Sequence, residues 1–214
     1  MKSLNDIDTC LLYELNGADW LIDKADAIAT KELIILINDF IYPNSNILDL
    51  CCGYGRLTIP LLESGFKVTG VDISTVLVDK GNEILASKGI NESPFVVGNM
   101  KNLIFSDHSF DFIFCVWASF NFLLTKEDQL EVLGEIYRTL NLEGRVLIEL
   151  PFHKDQQPVV KYNVGDVKYE YFPFCVNQLE ELFESTLFSK KNISIQSVAD
   201  RDRICLLYTS DAAD

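Results

Sequence analysis

Apolar residues follow two different spacings along this chain, one typical of helices and one typical of buried strands. Helical spacing is found in 23–41, 56–63, 74–88 and 126–140, and short apolar runs fill 46–51, 67–72, 95–98, 110–117 and 145–150. The near-continuous apolar run at 110–117 is typical of a strand that is buried on both faces of a sheet. Strands that alternate with helices in this way predict an α/β fold, with a mostly parallel sheet and helices on both of its faces.

The two ends of the chain depart from this alternation. A short helix around 10–15 and the helix at 23–41 are expected to form an N-terminal helical cap. Polar and apolar positions alternate over 158–174 around a turn at 163–166, which predicts a β-hairpin inserted after the fifth strand. A helix and a further strand are expected beyond it, at 176–188 and 193–198.

The charge balance argues against a polyanionic partner. The chain has 18 basic and 32 acidic residues, a formal net charge of −14, whereas nucleic acids and anionic membranes are bound chiefly by Lys and Arg. No apolar run approaches the roughly 20 residues that span a bilayer, and the polar, acidic N-terminus is unlike a signal peptide. We therefore expect a cytoplasmic protein that binds neither nucleic acid nor membrane, and the sequence leaves its oligomeric state open.

The cysteines do not indicate a metal site. None of the six has a partner at metal-ligand spacing, and several lie in apolar runs, where reduced Cys acts as a small hydrophobic residue. We expect buried, reduced thiols, which fits a reducing compartment.

The last ten residues, 205–214, resemble the translation of a transposon-end adapter that is used in sequencing libraries. On that interpretation the last strand of the fold is truncated or replaced beyond residue 204, and Cys205 and Tyr208 have no functional role. The alternative is an ordinary small, polar terminus.

A glycine-containing turn follows the first predicted strand. Residues 47–56 read Ile-Leu-Asp-Leu-Cys-Cys-Gly-Tyr-Gly-Arg, and Gly53 and Gly55 allow the backbone to approach a ligand closely. Such a turn alone fits either a dinucleotide site or a tight connection. Thr58 stands where the dinucleotide fingerprint requires Gly or Ala, and Asp49 would repel a pyrophosphate. Asp72, which ends the next strand, suits the hydroxyls of a ribose.

Five short motifs in order make the stretch 46–150 resemble the core of class I S-adenosylmethionine-dependent methyltransferases. They are Leu-Asp-Leu-Cys-Cys-Gly-Tyr-Gly at 48–55, Gly-Val-Asp-Ile-Ser at 70–74, Gly-Asn-Met at 98–100, Phe-Asp-Phe-Ile at 110–113, and Leu-Asn-Leu-Glu-Gly-Arg-Val-Leu-Ile-Glu at 140–149. The resemblance implies a Rossmann-like sheet of the seven-stranded type and S-adenosyl-L-methionine as cofactor. We expect one domain over 1–204, with helices at 1–45, the cofactor-binding core at 46–150 and a C-terminal part at 151–204.

The resemblance also implies which residues contact the cofactor. By motif position, Asp49, Cys51, Gly53 and Gly55 surround the methionine part, Asp72 accepts from the ribose, Ile73 packs on the adenine, Asn99 and Met100 border the adenine, and Trp117 faces the methionine end. Cys51 replaces a frequent Gly, so we expect the loop to differ locally, because a side chain disfavours a positive φ. Asn99 replaces a frequent acidic residue and still offers a donor and an acceptor.

The expected reaction is methyl transfer to a small-molecule acceptor by in-line displacement, mainly through positioning and desolvation. If the acceptor needs a general base, His153, just past the fifth strand, is the candidate, since His108 lies in a polar loop. Tyr13, Trp117 and Phe120 are candidate acceptor contacts. The sequence leaves three alternatives open: a non-catalytic S-adenosylmethionine-binding protein, an aminopropyl transferase and, less favoured, an NAD-dependent oxidoreductase.

Overall fold

The computed structural model describes residues 4–91, 93–164, 167–188 and 190–209. The helices in these ranges are α1 (Leu4–Ile22), α2 (Ala27–Asn38), α3 (Thr58–Glu63), α4 (Thr75–Ser87), α5 (Lys126–Thr139) and α6 (Val176–Glu184), with a 3₁₀ turn at Ser119–Phe122. The strands are β1 (Asn46–Leu50), β2 (Lys67–Asp72), β3 (Phe95–Val97), β4 (Phe110–Cys115), β5 (Leu140–Pro151), β6 (Val160–Val164), β7 (Val167–Tyr171), β8 (Lys190–Val198) and β9 (Arg201–Thr209).

Within the described ranges, seven strands form one sheet in the order β3-β2-β1-β4-β5-β9-β8. The first five strands pair in parallel, and β9 runs antiparallel between β5 and β8. Strands β6 and β7 form a separate two-stranded hairpin. The predicted Rossmann-like, mostly parallel sheet of seven strands is therefore confirmed, and the hairpin lies after the fifth strand as expected.

Each central strand supplies side chains to two separate hydrophobic clusters, one on either face of the sheet. In β4, Ile113 and Cys115 face the cluster formed with α5 and α6, whereas Phe112 and Phe114 face the cluster formed with α2 and α3. All four side chains are at most 1% exposed. Burial on both faces explains why this strand has so few polar positions.

Helices α2, α4 and α5 begin at side chains that cap their free backbone N–H groups. Asp26 accepts from the N–H groups of Ile28 and Ala29 at the start of α2, and the Thr125 hydroxyl accepts from Asp128 N–H at the start of α5. Helix α1 extends well beyond the predicted 10–15 and is interrupted by Gly17, whose φ of 75° and ψ of 167° are not helical. It packs against α4 and β7.

The last strand differs from the expectation of truncation beyond residue 204. Strand β9 continues to Thr209, and Leu206 and Tyr208 are at most 1% exposed within the sheet. The sequence of 205–209, Cys-Leu-Leu-Tyr-Thr, is apolar and suits a strand buried between two neighbours, whatever its origin. Residues 210–214 lie outside the described residues.

No helix in the described part of the chain is both long enough and apolar enough to cross a membrane.

Gly55 and Gly65 provide a matched test of how tightly the turn after β1 is packed. Both have similar left-handed φ values, 85° and 88°, but a Cβ on Gly55 would lie 2.3 Å from Cζ of Phe95, whereas none of the described atoms lies within 4 Å of a Cβ on Gly65. We expect Gly65→Ala to lower the free energy of unfolding by about 1 kcal/mol through backbone strain alone. Gly55→Ala should cost a further 1 to 3 kcal/mol, roughly, from overpacking. Urea unfolding measures both, and equal losses would contradict this close packing.

Candidate active site

The turn after β1 contains several residues with left-handed backbone conformations. Cys51, Gly53 and Gly55 have φ values of 65°, 58° and 85°. Cys51 therefore adopts a positive φ, although its side chain disfavours that conformation. The turn is attached to β2 because Gly53 N–H donates to Oδ2 of Asp72 at 2.8 Å. The other oxygen of Asp72 accepts from Ser74 N–H at 2.9 Å, where α4 is about to begin.

Two adjoining cavities open at the carboxyl ends of β1, β2 and β4. We call the first the β2-side cavity; its walls include Val71, Ile73, Gly98, Asn99, Met100 and Leu123. The second, the aromatic cavity, has a volume of about 470 Å³ and its aromatic walls are Tyr13, Tyr54, Trp117, Phe122, Tyr162, Tyr169 and Tyr171. Both cavities are lined by Tyr13, Cys51, Asp72, Ser119 and Phe122, so they are adjacent to each other.

Asp49 lies at the floor of the aromatic cavity with its carboxylate buried. The residue is 3% exposed, and Oδ2 accepts from the Thr58 hydroxyl at 2.6 Å. Burial raises the pKa of Asp49 to about 7, and the hydrogen bond from Thr58 and the positive charge of Arg56 oppose this rise. Because no cation neutralises it fully, Asp49 is suited to a cationic ligand in the cavity.

Trp117 is fixed in an unusual backbone conformation after β4. Trp117 and Ala118 have φ values of 60° and 66°, and Trp117 N–H donates to Oε2 of Glu149 at 2.6 Å. The guanidinium carbon of Arg56 lies 4.0 Å from the centre of the indole ring. A backbone hydrogen bond and a cation–π contact together hold this ring against the cavity.

The hairpin presents one face of tyrosines to the same cavity. Tyr162 and Tyr169 are directly opposed in the β6–β7 register, and Tyr171 follows two residues on, so the three share a face. The rings of Tyr162 and Tyr169 stack with centroids 5.3 Å apart. From α1, Tyr13 completes this wall; burial raises its pKa well above the usual value, and the nearby carboxylate of Asp72 adds to the rise.

Comparisons with known proteins agree with this geometry. Residues 47–144 match the model of the methyltransferase domain family described as Methyltransf_25. The core of this chain, residues 47–144, therefore matches a methyltransferase domain. The Bacillus subtilis protein YqeM, whose own assignment as a methyltransferase is provisional, is 34% identical over 104 residues, which are 49% of this chain and 41% of that protein. A demethylmenaquinone methyltransferase of Bacillus cytotoxicus is 31% identical over 108 residues, 49% and 44% of the two chains.

The matched region therefore spans less than half the length of these two curated relatives. The fold extends further. The solved structure of the Burkholderia thailandensis 1,6-didemethyltoxoflavin-N1-methyltransferase, with its bound 1,6-didemethyltoxoflavin and S-adenosylhomocysteine, superposes with a TM-score of 0.74. That match covers 99% of this chain and 92% of the other at 18% identity, so it shows a shared methyltransferase fold.

Most of the residues predicted for the cofactor site of the methyltransferase domain are brought together. The residues that line one or both cavities are Asp49, Cys51, Gly53, Asp72, Ile73, Asn99, Met100 and Trp117. Gly55 does not line either cavity; its N–H donates to Cys52 O at 3.0 Å and shapes the turn from behind. The predicted acceptor contacts Tyr13 and Trp117 also line the aromatic cavity.

Phe120 and His153 are placed differently from the prediction. Phe120 is 0% exposed and packs on Phe174 in the core, because the 3₁₀ turn directs it inward; Phe122, two residues on, lines both cavities of the methyltransferase domain. His153 lines neither cavity, and its Nε2 lies 3.5 Å from the hydroxyl of Tyr171, which does. Burial lowers the pKa of His153, and the charge of Arg203 lowers it further.

The sequence prediction missed several lining residues of the methyltransferase site. The hairpin tyrosines had a detectable signal, since Tyr169 and Tyr171 have the period-2 spacing of one strand face. Arg203, which also lines the aromatic cavity, had none, because its place depends on the pairing of β9 with β5.

The raised pKa of Asp49 makes a testable contribution to stability. An unfolded Asp has a pKa near 3.8, and the folded value is about 7, so between these values the folded protein keeps a proton that the unfolded chain has lost. The free energy of unfolding must fall with rising pH across this window and level off above it. Asp49→Asn removes this dependence.

Urea unfolding without ligand gives the free energy of unfolding of Asp49→Asn and of the parent. We expect the variant's value minus the parent's to increase by on the order of 2 kcal/mol from pH 5 to pH 8. Asp79→Asn, at an exposed position on α4, is the control for the same change of charge. A constant difference between Asp49→Asn and the parent would show that Asp49 is ionised throughout.

Proposed function

We propose that this protein transfers the methyl group of S-adenosylmethionine to a small-molecule acceptor. The observation that carries the proposal is that the two cavities share the lining residues Cys51, Asp72 and Phe122. The β2-side cavity offers apolar walls to a planar base, and the aromatic cavity has room beside it for a reacting partner. A volume of about 470 Å³ lies within the usual range of small-ligand sites.

The residues present fit this cofactor. The Asp72 carboxylate is 7% exposed and accepts two backbone N–H groups, so it is held in place and keeps lone pairs for the hydroxyls of a ribose. Ile73 and Met100 offer apolar walls to a planar base. Asp49 and Asp72 both have raised pKa values from burial, and a cationic sulfonium with an ammonium group would offset that cost.

The contributions of this chain are positioning, exclusion of water and acceptance of a proton. S-adenosylmethionine supplies an electrophilic methyl group, which an acceptor takes by in-line displacement. Trp117, Phe122 and the hairpin face hold a flat acceptor and keep water out. His153 is the proposed proton acceptor, acting through the hydroxyl of Tyr171, which is 3.5 Å away; its lowered pKa leaves it neutral near pH 7.

A small organic acceptor agrees with the charge and with the relatives. The chain has a net charge of −14, which disfavours nucleic acid. The relatives act, by their names, on demethylmenaquinone and 1,6-didemethyltoxoflavin. A shared fold does not by itself establish the reaction. Measuring the product distinguishes the proposed methyl transfer from two alternatives, a non-catalytic binding protein and an aminopropyl transferase.

Calorimetric titration with S-adenosylmethionine, S-adenosylhomocysteine and NADH tests the cofactor site. We expect the first two to bind and NADH not to. Asp72→Asn, which retains the shape but not the charge, should weaken both by about tenfold or more, because hydrogen bonds to a charged group contribute roughly 1.5 to 3 kcal/mol. Asp79→Asn is the control and should bind as the parent does. If the folded parent binds NADH instead, or binds no ligand, the proposal is wrong.

Variants of the two histidines test the proton acceptor. Formation of S-adenosylhomocysteine is followed with a panel of phenols, quinols and heteroaromatic amines. His153→Gln should lower kcat about 100-fold, with little change in cofactor affinity. In the parent the rate should rise with pH as His153 becomes neutral, and this rise should be absent from the variant. His108→Gln is the control, because His108 Nδ1 contacts Leu140 O at 2.9 Å and lies outside both cavities. Equal rates for the two variants would exclude His153 as the base.

A further inference from the structure

The buried pair of Glu149 and Arg203 lies in the wall of the aromatic cavity. Glu149 is on β5 and Arg203 is on the antiparallel neighbour β9, where the pairing of Glu149 with Cys205 places Arg203 two residues away on the same face. Arg203 Nε donates to Oε1 of Glu149, and the two side chains are 11% and 2% exposed. Arg203 is one of the cavity-lining residues.

Both carboxylate oxygens of Glu149 accept hydrogen bonds within the protein, whereas one nitrogen of Arg203 has no hydrogen-bond partner among the described residues. Glu149 accepts from Trp117 N–H through Oε2 and from Arg203 through Oε1. Nη2 of Arg203 is buried, and among the described residues it has no hydrogen-bond partner. A buried donor without an acceptor is costly. The rest of the side chain is the part of Arg203 that a molecule in the aromatic cavity can reach, since the side chain as a whole is 11% exposed and lines that cavity.

The other walls restrict the shape of that molecule. Aromatic rings of Trp117, Phe122, Tyr169 and Tyr171 surround the space, and such rings favour flat ligands. The charge of Arg203 is balanced by Glu149, and the same cavity is lined by two further carboxylates, Asp49 and Asp72, and by one further cation, Arg56. A neutral carbonyl oxygen therefore suits the Arg203 guanidinium better than a carboxylate does.

We propose that Arg203 is a specificity-determining residue, and that the acceptor is a flat ring compound whose carbonyl oxygen accepts a hydrogen bond from the Arg203 guanidinium. Glu149 is a positioning residue in this arrangement, since it orients both the guanidinium and Trp117. The proposal rests on the proposed function, because it assigns the acceptor side of the same site.

Binding of two ring compounds of the same size tests this assignment. The parent protein, saturated with S-adenosylhomocysteine, is titrated with 4-quinolone, which carries a ring carbonyl, with quinoline, which does not, and with 2-naphthoate as the carboxylate probe. We expect 4-quinolone to bind at least about tenfold more tightly than either other probe, as one buried hydrogen bond to a charged donor allows.

Arg203→Lys tests the residue itself. It keeps a positive charge beside Glu149 but lacks the forked second nitrogen, so the preference for 4-quinolone should disappear while S-adenosylhomocysteine still binds. Arg145→Lys on β5, whose Nη2 contacts the Tyr42 hydroxyl at 3.0 Å, is the matched control and should keep the preference. If Arg203→Lys does not fold, the double variant Glu149→Gln with Arg203→Gln, which removes both charges of the pair, is tested in its place.

The possible outcomes separate the two proposals. If S-adenosylhomocysteine binds but the parent shows no preference for 4-quinolone, or if Arg203→Lys retains it, the role of Arg203 is wrong and the proposed function stands. A stronger affinity for 2-naphthoate overturns the carbonyl assignment. If the folded parent does not bind S-adenosylhomocysteine, the proposed function fails and the acceptor assignment fails with it.

Discussion

The site depends on the position at which the order of the strands reverses. From β1 the chain adds β2 and β3 on one side, then returns to place β4 and β5 on the other. The connections after β1 and β4 therefore leave their neighbouring strands in opposite directions, and a crevice opens between them at the carboxyl edge of the sheet. Gly53 lies on one side of this crevice and Trp117 on the other. The strand order therefore determines where both cavities lie, independently of any particular side chain.

Maintaining the crevice costs conformational and electrostatic free energy. Cys51, Trp117 and Ala118 have left-handed backbones although they are not glycine, at a cost of roughly 1 kcal/mol or more each. Two carboxylates hold the chain in these conformations: Asp72 accepts from the first turn, and Glu149 accepts from the second. Asp72 therefore has two effects, because the burial that makes it an effective backbone acceptor also raises its pKa, as burial does for Asp49. A cationic ligand lowers the raised pKa values and leaves the backbone hydrogen bonds of Asp72 in place.

Local sequence predicted the core well because its determinants are local. Alternating burial and a glycine turn each involve residues within a few positions of one another, so β1, β2 and β4 were predicted. The cofactor-site residues were placed by motif position through the family resemblance, and their roles remain predictions. Phe120 and Phe122 show the limit of this approach. Both are aromatic and follow the same strand, but the 3₁₀ turn directs one into the core and the other into the cavities. The extent of β9 and the placement of Arg203 depend on strand pairing over more than 50 residues, which no local pattern contains.

The two cavities share several lining residues but differ in how much they take from outside the region that matches the domain family. The β2-side cavity is formed chiefly by the ends of β1 and β2 and by the turn after β3, all within 47–144. The aromatic cavity takes Tyr13 from α1, Tyr162, Tyr169 and Tyr171 from the hairpin, and Arg203 from β9, all of which lie outside that range. Substitutions in these outer elements can change the shape and the hydrogen-bonding groups of the aromatic cavity while leaving the backbone hydrogen bonds of Asp72 intact. On the proposed function, a change of acceptor therefore requires substitutions in α1, the hairpin and β9, and the cofactor site in the core can stay as it is. This division explains how a cofactor site can be recognisable from sequence when the acceptor is not.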